Sequence, residues 1–135
     1  MAKDILVAES LSDSMMKAGA RLIERLDADQ SEVKSAFWLY SPDDRAWTLI
    51  IASPLVDALG PREYYKKIVA ANGNALDEEE IVSLNHISVI NIENQIVHVL
   101  KSAISTGSGI SGIRFSRNTI NGCFIEDLYI YRSNL

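Results

Sequence analysis

VKSAFWLYSPDDRAWTLIIAS, residues 33 to 53, is the stretch from which the fold can be read. Pro42 supplies the fixed φ of a turn's second position, and Asp43 and Asp44 tolerate the remaining turn geometry, so the flanking arms form a β-hairpin. Each arm is apolar on both faces. Phe37 and Leu39 alternate with Trp38 and Tyr40, and Trp47, Leu49 and Ile51 alternate with Ile50 and Ala52. Strands of that kind are buried from two sides. A central place in a sheet, or an oligomer covering one face, meets the requirement.

Upstream, from Asp4 to about Asp27, Ala8, Leu11, Met15, Ala18, Leu22 and Leu26 recur at the three-to-four spacing of an amphipathic helix. Ser10, Ser12, Asp13 and Ser14 are poor helix formers, and a break there would leave Ser12 or Asp13 to cap a second segment. Downstream, Ser53-Pro54 reads as an N-cap followed by proline in the first turn, opening a short helix that Gly60 ends. Gly60-Pro61 restarts a helix over PREYYKKIVAAN, with Tyr65, Ile68 and Val69 inward and Asn72-Gly73 as its stop.

GNALDEEE is a polar connection. Ile81 to Ile92 is rich in β-branched residues and predicts a strand. Asn91 then caps a helix whose apolar stripe is Ile92, Ile96, Val99, Leu100, Ala103 and Ile104. The last segment, ISGIRFSRNTINGCFIEDLYIYR, is a hairpin turning at Arg117-Asn118 or at Asn121-Gly122, with its register open. The expected architecture is α+β, a single domain over residues 1–135 in the order α-ββ-α-β-α-ββ. A mainly antiparallel sheet of about five strands carries about three helices on one face. A homodimer is expected, because the other face of such a sheet must bury itself or be polar.

The chain of 135 residues carries a formal net charge of −5, which argues against broad attachment to a nucleic-acid backbone. It has no run of eighteen apolar residues, and MAKDILVAESLSDSMMK lacks the ordered regions of a signal peptide, so a soluble cytoplasmic protein that does not bind membranes is expected. Cys123 is the single cysteine, which removes internal disulfides, CxxC redox pairs and cysteine-based zinc sites within one chain.

TGSGISG, Thr106 to Gly112, has the glycine spacing of a dinucleotide-binding turn. In that fold the glycines follow a strand and open a helix. Here a helix ends before the motif and a strand begins after it, so Gly107 reads as a left-handed C-cap. A narrower expectation survives, an anion nest made of Gly109 and Gly112 with Arg114 and Arg117.

Other chemistries find little support. Asp43-Asp44 lack the acid and lysine that would complete a metal-dependent nuclease motif, and Glu78, Glu79 and Glu80 read as a solvated run. His98 is expected to be exposed and His86 partly buried, with nothing that forces them together as metal ligands. No G-x-S-x-G elbow is present, and Cys123 lies in a hairpin without an electropositive helix start. Of Glu126 and Asp127, strand alternation turns one inward, where Arg114 or Arg117 is expected to neutralise it.

Among the aromatic residues, Tyr64, Tyr129 and Tyr131, with Arg132, are candidates for a partner-binding patch. The sequence therefore points to a small acidic protein without a catalytic set, cofactor or metal. It is expected to act through protein contacts, as a regulator or an inhibitor of a basic partner. The alternative is a nucleotide- or phosphate-binding, or metal-dependent phosphoester-directed, enzyme using the Gly107 to Arg117 loop.

Overall fold

The structure is a computed structural model describing residues 1–135. Its element order is β1 (Lys3–Asp4), α1 (Asp13–Ala28), β2 (Ser35–Ser41), β3 (Ala46–Ala52), α2 (Pro54–Leu59), α3 (Pro61–Gly73), β4 (Glu80–Ile81), β5 (Ile87–Ile90), α4 (Gln95–Ala103), β6 (Ile113–Ile120) and β7 (Cys123–Ser133). Five strands form one mixed sheet in the order β5-β3-β2-β7-β6, and β1 and β4 pair separately in parallel. β2 is the central strand and β3 is also interior, which satisfies the two-sided apolar pattern of the first hairpin.

On one face, Ala36, Trp38, Leu49 and Ile51 pack with Met15, Leu22 and Leu26 of α1, Val56 of α2, and Tyr64 and Ile68 of α3. On the other, Phe37, Ile50, Leu128 and Ile130 pack with Val99 and Leu100 of α4. Three helices thus share one face as expected, and a fourth lies opposite. The reason is the second apolar stripe of β2 and β3. The connection from β5 to β6 must cross from one edge of the sheet to the other, and it passes over the face that α1 and α3 leave open.

The local signals act where they stand. Ser12 caps α1, accepting from the Met15 N–H at 3.2 Å, and Ser53 caps α2, accepting from the Leu55 N–H at 3.1 Å. α1 does not extend back to Asp4; its upstream half is a short strand and a loop. The segment Ile81 to Ile92 is likewise not one strand, because a 3-10 turn at Leu84–His86 separates β4 from β5. The cap of α4 is Asn94, whose side chain accepts from the Ile96 N–H at 3.1 Å. In α3 the inward side is Tyr64, Ile68 and Ala71, while Val69 is exposed.

The final hairpin turns at Asn121-Gly122, where φ values of 47° and 79° match a turn with two left-handed residues. Gly107 is not a left-handed cap, since Gly60 and Gly122 are the glycines with positive φ. The chain leaves α4 in an extended conformation at Ile104 and is drawn onto the end of β7. There Thr106 N–H donates to the Ser133 carbonyl at 2.9 Å and Ser111 N–H to the Tyr131 carbonyl at 2.7 Å.

No helix is long and apolar enough to cross a membrane. The acidic run is not simply solvated. Lys3 pairs with Glu78 at 2.6 Å, half-buried Arg25 pairs with Glu79, and Ser14 donates to Glu80 at 3.4 Å, so β1 and α1 share it.

A candidate acidic and aromatic cleft

Pairing between β2 and β7 runs from Ser35↔Ser133 to Leu39↔Leu128 and goes no further, although β2 continues with β3 to Ser41 and β7 begins at Cys123 beside β6. The two hairpins part beyond Leu39. On the α1 side of the parting lies a hollow of about 310 Å³, lined by Glu9, Tyr40, Trp47, Ser116, Arg117, Glu126 and Asp127.

Tyr40 and Trp47 are opposed in the β2–β3 register and form its floor, with ring centroids 5.3 Å apart and planes inclined at 54°. Glu9, in the loop before α1, is tied to both. The Trp47 indole N–H donates to the Glu9 carbonyl at 2.9 Å, and the Tyr40 hydroxyl donates to Glu9 Oε1 at 3.3 Å. Desolvation, then the Glu9 carboxylate, holds the Tyr40 phenol above its ordinary pKa.

The far wall depends on a local break in strand alternation. Arg117 has a φ of 48°, and the β6–β7 ladder skips the Arg117 and Glu126 position between Ser116↔Asp127 and Asn118↔Ile125. Ile125 and Leu128 consequently both face the α4 side, while Glu126 and Asp127 both line the cleft. Strict alternation would have separated the two acids.

Asp127 is saturated. Arg114 grips it with two bonds, Nε at 2.9 Å and a terminal nitrogen at 2.6 Å, and Ser116 Oγ and the Leu128 N–H donate at 2.8 and 3.0 Å. Burial works to raise its pKa, but the Arg114 and Ser116 hydrogen bonds outweigh burial and leave it below the ordinary aspartate value. The bond to Asp127 in turn raises the Arg114 guanidinium, which also sits 5.8 Å from the Trp47 ring centroid.

A depressed folded-state pKa contributes stability that is present above the unfolded value and lost as pH falls through the folded one. Asp127→Asn is therefore expected to cost about 1 to 2 kcal/mol at neutral pH. The difference from wild type should close on acidification below the unfolded aspartate pKa of about 3.9. Denaturant midpoints of both proteins across that range check it.

Glu126 meets Arg117 at 3.8 Å on an open surface. Glu9 has no cationic partner and is exposed. No three His, Cys, Asp or Glu side chains are grouped in a way that could hold a metal ion.

Of the residues singled out in the sequence, Arg114 and Arg117 form the ion pairs expected between β6 and the two acids of β7, and the others are distributed otherwise than expected. Arg114 and Arg117 already face Asp127 and Glu126. Gly109 turns its carbonyl to the Arg132 Nε at 3.2 Å, and a Cβ at Gly112 would run into the Tyr129 hydroxyl. A loop that presents a carbonyl and spends amides on β7 is a poor anion nest.

Tyr64, Tyr131 and Arg132 are buried and Tyr129 is half-buried, so they do not form the expected surface patch. Their polar tips have inward partners instead. Tyr64 donates to the Ser31 carbonyl at 2.9 Å, Tyr131 to the Met16 carbonyl at 2.6 Å, and Arg132 to Asp27 at 2.7 and 2.8 Å. Burial raises the pKa of both tyrosines.

His98 is exposed near Glu93 at 3.4 Å, and His86 is half-buried at the 3-10 turn. Glu9, Tyr40, Trp47 and Ser116 were not identified as site residues from the sequence. The break ahead of Ser12 was a usable signal, because it puts Glu9 on a loop rather than a helix. No protein-family model matches this chain, and neither a curated protein nor a solved structure matches it.

Proposed function

We propose that this protein is a non-enzymatic cytoplasmic interaction protein that holds a cationic side chain of a partner protein in the cleft between the two hairpins, as a regulator or inhibitor of a basic partner would. The observation that carries the reading is the Glu9 carboxylate, held beside the inclined rings of Tyr40 and Trp47 without a cation of its own. A desolvated ammonium or guanidinium gains from a carboxylate and from an aromatic face together. The formal net charge of −5 favours approach of a basic surface.

Titration with blocked lysine and arginine peptides, followed by the Trp47 indole N–H resonance, tests the proposal. Glu9→Gln is expected to weaken binding about fivefold, the size of one exposed ion pair, with an unchanged thermal midpoint. An equal affinity in wild type and variant, or a Trp47 resonance that does not move, would overturn it.

The half-buried Ile113 and Phe115, at the sheet edge and only partly covered by α4, favour a second reading in which the protein works as a homodimer. Sedimentation at rising concentration checks this, and a strict monomer removes it.

A further inference from the structure

The parting of the hairpins opens on both faces of the sheet. Opposite the acidic cleft, on the α4 side, lies a groove of about 280 Å³ that includes Leu39, Pro42, Ile96, Cys123 and Ile125. The two hollows share Tyr40 and Glu126, so they are the two sides of one gap in the sheet. Their linings differ in kind, carboxylates and rings on one side and aliphatic and aromatic carbon on the other.

The gap also has an unpaired strand edge. β7 bonds to β6 down to Cys123 but has no partner on its β2 side from Cys123 to Asp127. Backbone N–H and C=O groups along such an edge are free to take another strand. A strand entering there would send successive side chains to opposite faces, and the two faces it would meet are acidic and apolar respectively.

We infer that the gap is a docking slot for an extended segment of a protein partner in which cationic and apolar residues alternate. Main-chain bonds to β7 provide attachment, as in other recognition by strand addition. The cationic side chains go to Glu9, Tyr40 and Trp47, and the apolar ones to Leu39, Ile96 and Cys123. This rests on the cationic-partner reading and adds the conformation and pattern of the segment. The kinked Arg117 and the paired charges on β6 protect the outer edge of the sheet from the same addition.

Three blocked peptides separate the possibilities: one alternating lysine with valine, one of equal composition with the lysines and valines in separate blocks, and the alternating one with N-methylated backbone. The alternating peptide is expected to bind at least about tenfold more tightly than either control, a difference of one decade in Kd. It should slow amide exchange from Phe124 to Asp127. Ile96→Ser should remove the advantage over the block peptide while leaving the block peptide's affinity as it was.

Equal binding of the three peptides, still weakened by Glu9→Gln, overturns the slot and leaves the cationic cleft standing. Binding of none of them overturns both. Concentration-dependent protection of Phe124 to Asp127 in the protein alone would show that a second copy fills the gap, and also overturns the partner slot.

Discussion

Arg132→Met is expected to lower the unfolding free energy by about 2 kcal/mol, because the Val33 and Gly109 carbonyls lose their donor, whereas Asp27, 39% exposed, turns to water. Arg132 is 3% exposed at the end of β7, yet each of its three guanidinium nitrogens has a partner. Two terminal nitrogens reach the Asp27 carboxylate at 2.8 and 2.7 Å, one of them also donates to the Val33 carbonyl at 3.0 Å, and Nε donates to the Gly109 carbonyl at 3.2 Å. One side chain thus joins the end of α1, the segment leading into β2 and the loop after α4. A methionine fills part of the volume but leaves two carbonyls unpartnered.

Arg132→Lys should recover only part of the loss, because an ammonium does not reproduce the fork that grips Asp27 and turns Nε to Gly109. Adding Asp27→Leu to Arg132→Met should change the stability little further, because the Asp27 carboxylate is exposed and water takes the place of its partner. Urea unfolding of the four proteins checks the order. If Arg132→Met costs under about 1 kcal/mol, the value of an ordinary surface pair, the guanidinium does not organise this corner.

Gly19→Ala is expected to destabilise by about 2 kcal/mol, the overpacking range, although alanine in a helix interior ordinarily gains about 1 kcal/mol over glycine. The sign is reversed by what lies above α1. A Cβ at Gly19 would collide with the Tyr131 hydroxyl and stand 2.8 Å from its Cζ and 2.9 Å from the Trp38 indole nitrogen. Trp38 and Tyr131 are buried and bonded to each other at 2.9 Å, and the hydroxyl then donates to the Met16 carbonyl. Moving the tyrosine breaks that relay in a place no water reaches.

Gly73, at the end of α3 with open space where its Cβ would be, serves as the contrast. Gly73→Ala should be neutral or stabilising. Tyr131→Phe removes the atom nearest to the new methyl, so the penalty of Gly19→Ala should shrink in that background, and a double-mutant cycle measures by how much. Equal and additive effects in both backgrounds would mean that the helix and strand do not meet as closely as the structure has them.

Much of the scaffold was legible because its rules are local. Ser12, Ser53 and Pro54 act within one turn of their own helices, and Asn121-Gly122 needs only two residues with positive φ to close a hairpin. The alternation in SAFWLYS required burial from both sides, and β2 became the central strand. The face on which α4 packs was not legible, since its stripe fits any apolar surface.

The cleft is a tertiary product for the same reason. Glu9 reaches Trp47 across 38 positions, a contact no short window contains, whereas the pairing of Arg114 with Asp127 was within reach of the hairpin pattern. Sequence by itself determined the α+β class, most of the elements and the first hairpin turn, and narrowed the second turn to two sites, because capping, periodicity and turn chemistry are properties of neighbouring residues. Only the tertiary structure decided that Tyr64, Tyr131 and Arg132 are core rather than surface, and that Glu126 and Asp127 share a face. It also left Glu9 as the carboxylate without a cation, because burial and ion pairing depend on residues brought together from distant parts of the chain.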